Sequence, residues 1–201
     1  YRMLLLLLSL VINLEMHQFL IERRSIRRFE HRPIPADKLY RIVETALYAP
    51  SAGNTQPWYI IVVQDTGSCR LIYENTLWLA GKPTYNEAPS AYLLVLWEKA
   101  RCPDWPGIAS CAALCTYILL AAHAESLGAV WIGSVTNKDL LIQHFGIPEG
   151  LEIFSIIALG YPNESPKVVP ADKDYRPYRR DGRLFVPKYS VTDKVKFNRW
   201  E

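Results

Sequence analysis

Ala49-Pro50-Ser51-Ala52-Gly53-Asn54-Thr55-Gln56-Pro57-Trp58 separates a helical pattern from a strand pattern. Upstream of it, Leu39, Ile42, Val43, Ala46 and Leu47 recur at i, i+3, i+4, i+7 and i+8, the stripe of an amphipathic helix. Ile34-Pro35-Ala36-Asp37 supplies the helix start, with Asp37 suited to the free N–H groups of the first turn. Pro50 ends the helix, because the residue before a proline is pushed out of the helical region. Downstream, Trp58 to Val63 is a continuous apolar run with β-branched members, which predicts a buried strand. Small residues in the intervening loop let a backbone approach a flat ligand, and Ser51, Asn54 and Gln56 offer donors and acceptors. The same composition also suits a loop with no function.

Working outward, Ala91 to Trp97 predicts a second buried strand. Val130 to Ile132 and Ile153 to Leu159 predict two more, the last running into Gly160-Tyr161-Pro162. Ile108 to Leu127 is apolar on most faces and closes at Leu127-Gly128, a helix stop. Such a helix must be central or be covered by a partner subunit. Helices alternate with strands, so the expected class is α+β, with helices packed around a small sheet. The tail from Lys167 is rich in charge, proline and tyrosine and reads as an extended arm. Residues 1–15 form an apolar N-terminal extension, and residues 16–201 read as one domain. The ten residues from Met3 to Ile12 fall short of the roughly 20 needed to span a bilayer. An upstream extension or a packed terminal helix is the expectation, with membrane attachment the competing one.

The 201 residues are 50% hydrophobic and 21% charged, which allows a real core and excludes wholesale disorder. Lys+Arg of 23 against Asp+Glu of 20 leaves +3, little for a non-specific nucleic-acid binder. Cys69, Cys102, Cys111 and Cys115 form no C-x-x-C pair and have no histidine at zinc spacing. They read as buried thiols acting as small hydrophobes, in a reducing, cytoplasmic compartment.

Charge is densest at Arg23-Arg24-Ser25-Ile26-Arg27-Arg28. Arginine forks and a serine hydroxyl suit phosphate oxygens; alone, the segment would also pass for a solvated basic turn. Leu127-Gly128-Ala129-Val130-Trp131-Ile132-Gly133-Ser134 is a strand whose end exposes backbone N–H groups. No Gly-x-Gly-x-x-Gly is present, so a Rossmann site is not supported. His123 reads as a helix-surface residue, His144 as part of a polar turn, and Asp37 and Glu44 as helix-face carboxylates. Trp78 and Tyr85 lie between the first two strands, where they either cover a ligand or simply pack.

Taken in order, these segments resemble the nitroreductase family of flavin enzymes, from about Met16 to Trp200. Arg23-Arg24-Ser25-Ile26-Arg27 is similar to the family's phosphate-binding motif. Ala49 to Trp58 resembles its flavin loop, the most specific of the matches. Leu127 to Gly133 is similar to the strand whose backbone meets the flavin ring, and Ala158-Leu159-Gly160-Tyr161-Pro162 resembles its Gly-Tyr-Pro turn. Val195-Lys196-Phe197-Asn198-Arg199-Trp200 resembles its closing segment, with Lys196 where a histidine is more usual.

The resemblance implies a central, mostly antiparallel sheet surrounded by helices, in an intertwined homodimer with an extended C-terminal arm. It implies FMN held without a covalent link at the dimer interface, and NAD(P)H as a transient hydride donor. Nitroaromatics, quinones or similar small molecules would be the acceptors, in a ping-pong mechanism. Phosphate contacts carry onto Arg23, Ser25 and Arg27, with Arg24 as a neighbour and Lys188 as a C-terminal complement. Flavin-loop contacts carry onto Pro50, Ser51, Asn54 and Gln56, and the ring-edge backbone onto Ile132 and Gly133. No side chain is implied as a catalytic acid or base, and no metal. An FMN phosphate carries about two negative charges, for which three arginines within five residues are a suitable counter.

Relatives that remove halogen from aromatic rings or fragment reduced flavin share these motifs, so the acceptor stays open. A reading from a different class is an RNA-binding module. It would use Arg23 to Arg28 and Tyr175-Arg176-Pro177-Tyr178-Arg179-Arg180, where aromatics interleave with arginine. The small net charge and the lack of a recognised RNA-binding motif weigh against it. The expected partners are a second copy of the chain and a small acceptor, with no nucleic acid and no membrane.

Overall fold

The computed structural model describes residues 14–79, 81–172 and 174–200. Its helices are α1 (residues 14–22), α2 (Ala36–Ala46), α3 (Thr66–Glu74), α4 (Asp104–Ala124), α5 (Lys138–Phe145) and α6 (Val191–Lys194). Its strands are β1 (Trp58–Val63), β2 (Thr76–Leu77), β3 (Ala91–Glu98), β4 (Gly128–Ile132), β5 (Ser134–Val135), β6 (Leu151–Gly160), β7 (Lys167–Pro170), β8 (Tyr178–Arg180) and β9 (Arg183–Lys188). Residues 1–13, most of the predicted apolar extension, lie outside the described residues.

β3 is buried from Ala91 to Trp97 on both faces, so it needs a layer on each side. It sits inside a four-stranded sheet of order β1-β3-β6-β4, every neighbouring pair antiparallel. The period of two along the strands sorts the core into halves. Leu93, Val95, Trp97, Ala129, Ile157 and Leu159 meet Leu39 and Ile42 of α2 and Leu114 and Ile118 of α4. Tyr92, Leu94, Leu96, Val130 and Ile156 meet Ile72 of α3, Leu141 of α5, Ile26 and Phe29. The expected α+β class and antiparallel sheet are observed.

Two boundaries differ from expectation for local reasons. α4 starts at Asp104, four residues before the predicted Ile108, because Pro106 falls in its first turn, where a missing N–H costs nothing. At its other end Ser126, not Gly128, takes the left-handed conformation (φ 59°), and the Leu127 N–H returns to the Ala122 carbonyl at 2.8 Å. Gly128 is already in β4, where a Cβ would come within 2.8 Å of Ile26. Its role is close approach between segments rather than helix termination.

The tail also carries more order than an extended arm. β7, β9 and β8 form a mixed three-stranded sheet, with β7 parallel and β8 antiparallel to β9. Beyond it, Ser190 and Asp193 close a capping box on α6. Phe197 and Trp200, large apolar side chains, are largely exposed.

Candidate functional site

The basic segment leaves α1 and lies along the edge of the main sheet. Ser25 makes a parallel bridge with Ala129 of β4, and the Ile26 N–H donates to the Ala129 carbonyl at 3.0 Å. Ile26 points into the second half of the core. Phe29 fixes the far end: it is fully buried, bridges Pro162, and its ring lies where a Cβ on Gly160 would come within 2.7 Å. The expected phosphate residues Arg23, Ser25 and Arg27 thus run beside β4, whose last residues lead to Ile132 and Gly133. A cavity of about 110 Å³ joins Arg27 to Trp131, Ile132 and Gly133, with Trp78 on its wall. Gly133 is exposed, and a Cβ there would meet nothing within 4 Å, so the space over this backbone is open.

Arg23 opens on a larger cleft of about 570 Å³, lined also by Arg24, His123, Ser126, Glu164 and Ser165. Arg23 Nη1 is buried and meets no hydrogen-bond partner among the described residues. A buried, unpaired cationic donor is costly, and an anion supplies what it lacks. Burial first, then Arg24, hold the Arg23 guanidinium below the usual arginine range. Burial, followed by Arg23, also holds His123 below the usual histidine range. These shifts mark a partly desolvated cleft in which Arg23 and Arg24 stand beside the carboxylates Glu22 and Glu164, and partial burial strengthens what Arg23 can offer an anion.

Glu164, which the sequence reading did not single out, organises the Arg27 end. One carboxylate oxygen accepts the Arg27 N–H at 2.6 Å, and the other binds Arg179 of β8 at 2.7 Å. Burial lowers the Arg27 guanidinium, and Glu164 partly restores it. A single carboxylate in a loop has no periodicity to betray it; its position two residues after Pro162 was the only available signal. Within one chain, Glu164 holds the Arg179 guanidinium near Arg27, while Lys188 lies elsewhere. Arg179 pairs with Leu184 at the start of β9, whereas Lys188 ends that strand and pairs with Pro170. The arginine–aromatic tail is engaged internally: Arg176 binds Asp174 at 3.0 Å, and Arg180 lies 5.2 Å over the Phe185 ring.

The loop at 50–57 is elsewhere in the chain. Its turns use left-handed backbone at Gly53 (φ 55°), Asn54 (φ 55°) and Gln56 (φ 45°). The Gln56 N–H donates to the Ser51 hydroxyl at 3.0 Å, and the Gln56 amide donates to Asn54 Oδ1 at 3.1 Å. Pro50, Asn54 and Gln56 are exposed and Ser51 is half-buried. The Ala52 N–H anchors the loop on the Ser110 hydroxyl of α4 at 3.0 Å. Arg23 shares its cleft with Leu119 and His123, near the other end of the same helix. Ser110 to His123 is about 20 Å at 1.5 Å per residue. β1 and β4 are likewise opposite edges of the sheet, about 14 Å apart at 4.8 Å per strand. One chain therefore gathers Arg23, Ser25, Arg27, Ile132 and Gly133 and holds Pro50, Ser51, Asn54 and Gln56 far from them.

The remaining candidates take structural places. His144 Nε2 lies 2.8 Å from the Ser68 hydroxyl, tying α5 to α3. His123 packs its ring 4.6 Å from Phe19 while facing the Arg23 cleft. Trp78 lines the Gly133 cavity, whereas Tyr85 packs edge-on to Tyr73. Cys102, Cys111 and Cys115 are buried and Cys69 is half-buried. Burial pushes the Cys111 thiol up to about 12.

Comparison with known proteins bears on what this arrangement is. The model of the nitroreductase family matches residues 20–80 and 69–161. An Archaeoglobus fulgidus protein that carries the name NADH dehydrogenase/NAD(P)H nitroreductase is 32% identical over 160 residues, covering 78% of this chain and 91% of that one. The iodotyrosine deiodinase of Haliscomenobacter hydrossis is 29% identical over 185 residues, covering 77% of this chain and 82% of its own. Among solved structures, the FMN-dependent nitroreductase of Clostridium difficile R20291 superposes with a TM-score of 0.67 at 25% identity, covering 90% of this chain and 98% of the other.

Proposed function

The chain belongs to the nitroreductase family, and on that premise we propose that it is an FMN-dependent oxidoreductase acting between NAD(P)H and small acceptors. Nitroaromatics, quinones or similar molecules are the proposed acceptor class, reduced in ping-pong order. The observation that carries the reading is Arg23 Nη1, buried without a hydrogen-bond partner among the described residues, beside β4, the strand that ends at Ile132. Arg23, Ser25 and Arg27 fit a phosphate dianion, two guanidinium forks with a hydroxyl between them. Arg24 sits beside them with its own guanidinium turned to the Ile21 and Arg23 carbonyls, where it adds charge. The open backbone at Ile132 and Gly133 fits the edge of a flat ring.

When bound, FMN supplies the two-electron chemistry, accepting hydride and releasing electrons to the second substrate. The protein's part is to hold the phosphate, to admit the ring close to backbone, and to limit water around it. None of this requires a side-chain acid or base.

The loop at Pro50, Ser51, Asn54 and Gln56 completes the site from a second copy of the chain. The roughly 14–20 Å along α4 between Ser110, which anchors the loop, and Leu119 and His123 of the Arg23 cleft supports this. Two further features support a dimer. Trp105, Ile108, Tyr40, Leu47 and Tyr48 leave an apolar face of α2 and α4 exposed, and the tail beyond β9 presents Phe197 and Trp200. Such exposed patches mark interaction surfaces. Lys188 is proposed to serve the phosphate of the partner's site rather than that of its own. Residues 16–201 are proposed as the FMN-binding domain, in a reducing, cytoplasmic setting.

The test is direct. Purified protein is expected to be yellow, to bleach anaerobically with NADH or NADPH, and to recover colour when a nitroaromatic or quinone is added. Protein that neither carries nor takes up FMN would refute the proposal.

A further inference from the structure

At the end of the sheet where β1 finishes and β3 begins, a separate cavity of about 220 Å³ shares no lining residue with either cleft described above. We propose that it binds a small aromatic carboxylate. Its volume lies below the roughly 300–1,000 Å³ of sites for larger ligands and suits a single substituted ring.

Three observations set the chemistry. First, Tyr92 is fully buried at the wall of this cavity, and its hydroxyl meets no hydrogen-bond partner among the described residues. Buried tyrosine hydroxyls are ordinarily paired. Of the two buried orphans among the described residues, the one on Arg23 is accounted for by the phosphate cleft; this one is not. Burial raises the Tyr92 phenol above its usual range, so at neutral pH it is a donor in need of an acceptor. Secondly, the walls are aromatic: Tyr73 and Tyr85 meet edge to face, with centroids 5.7 Å apart. Tyr73 already donates to the Pro83 carbonyl at 2.7 Å, and burial pushes the nearby Cys69 thiol up to about 11. Neither introduces negative charge. Thirdly, the described lining contains His31, Arg32 and Arg70 and no carboxylate. Arg70 binds Glu74 through Nε at 2.8 Å and lies 5.8 Å over the Tyr85 ring. A guanidinium has five N–H donors, so this pairing leaves others for an incoming anion.

An aromatic ring against Tyr73 and Tyr85, an oxygen accepting from Tyr92 and a carboxylate reaching Arg70 satisfy all three demands together. The inference does not depend on the flavin reading, and the experiment separates the two. Calorimetric titration of the purified full chain with 4-hydroxybenzoate is run beside the visible flavin spectrum. Expected are a heat of binding with the flavin spectrum unchanged and weaker binding of neutral 4-hydroxybenzamide. Tyr92→Phe and Arg70→Gln should each lower affinity by about tenfold or more, the loss of a hydrogen bond or an ionic contact. Arg70 is on the surface, so Arg70→Gln carries the test if Tyr92→Phe fails to fold. No binding would overturn the proposal, as would affinity unchanged in the variants. Binding that shifts the flavin spectrum and survives Arg70→Gln would place the ligand on the flavin and overturn it equally.

Discussion

Replacing Arg23 by alanine separates a ligand-binding arginine from a structural one, because the two roles have opposite effects on the empty protein. Among the described residues, Arg23 Nη1 is buried without a hydrogen-bond partner, and its neighbour Arg24 repels it. Removing it relieves an unsatisfied donor and forfeits only the packing of its aliphatic stem. The melting temperature of the FMN-free variant should therefore match or exceed that of the parent. With FMN the sign reverses. One charge-assisted hydrogen bond is worth about 1.5–3 kcal/mol, which weakens FMN binding about 10- to 150-fold. At fixed excess FMN the same loss appears as lower stability, since a ligand stabilises in proportion to the logarithm of its concentration over Kd. For a chain of this size, that is a fall of about 3–12 °C relative to the FMN-loaded parent. Equilibrium dialysis gives the Kd, and calorimetry with and without FMN gives the two melting temperatures. Equal destabilisation of both forms, or an unchanged Kd, would refute the assignment and make Arg23 a structural residue.

Gly160→Ala should lower the melting temperature by about 2–12 °C, because its Cβ would sit 2.7 Å from the fully buried Phe29 ring, an overpacking of about 1–3 kcal/mol. An unchanged melting temperature would show that the segment is not held this tightly. For His123, burial and then Arg23 depress the folded pKa, so the unfolded chain takes up its proton first. Its contribution to stability is complete above the unfolded value of about 6.5 and is lost as the pH falls through the window below it. An FMN phosphate in the adjoining cleft should raise that pKa, and so should Arg23→Ala in the empty protein. NMR titration of the His123 ring measures both, and no movement in either case would remove the phosphate from this cleft.

Much of this arrangement was legible because its signals are local. The i, i+3, i+4 stripe from Leu39 marks α2, and the uninterrupted runs from Ala91 and Ile153 mark strands that helices cover on both faces. The run from Trp58 also marks a strand, but β1 lies at the sheet edge with Tyr59 and Val62 exposed, rather than buried as expected. What escaped was non-local. The apolar run placed the start of α4 at Ile108, yet the helix begins at Asp104, with Pro106 inside its first turn, where its ring and missing N–H are harmless. Gly128 looked like a helix stop, although its need is to admit Ile26, which is over a hundred residues away in sequence. Glu164 joins Arg27 to Arg179 across three separate segments, a relation that no window of sequence contains. The tail's charge and proline content suggested an arm, but the β8–β9 hairpin is set by the tight turn at Asp181 and Gly182, both at positive φ.

In the proposed dimer each site joins the basic segment of one chain to the 50–57 loop of another, and mixing two disabled variants tests this. One variant carries Arg23→Ala with Arg27→Ala; the other carries Ser51→Ala with Asn54→Ala. Each alone should bind FMN poorly. After unfolding and co-refolding at equal concentrations, half the dimers are mixed, and each mixed dimer has one site made entirely of unaltered residues. FMN bound at parental affinity should therefore return to about a quarter of all sites, read from flavin absorbance after dialysis. If mixing restores no tight binding, while the unaltered chain treated the same way does recover its flavin, the site lies within a single chain and the two-chain site is refuted.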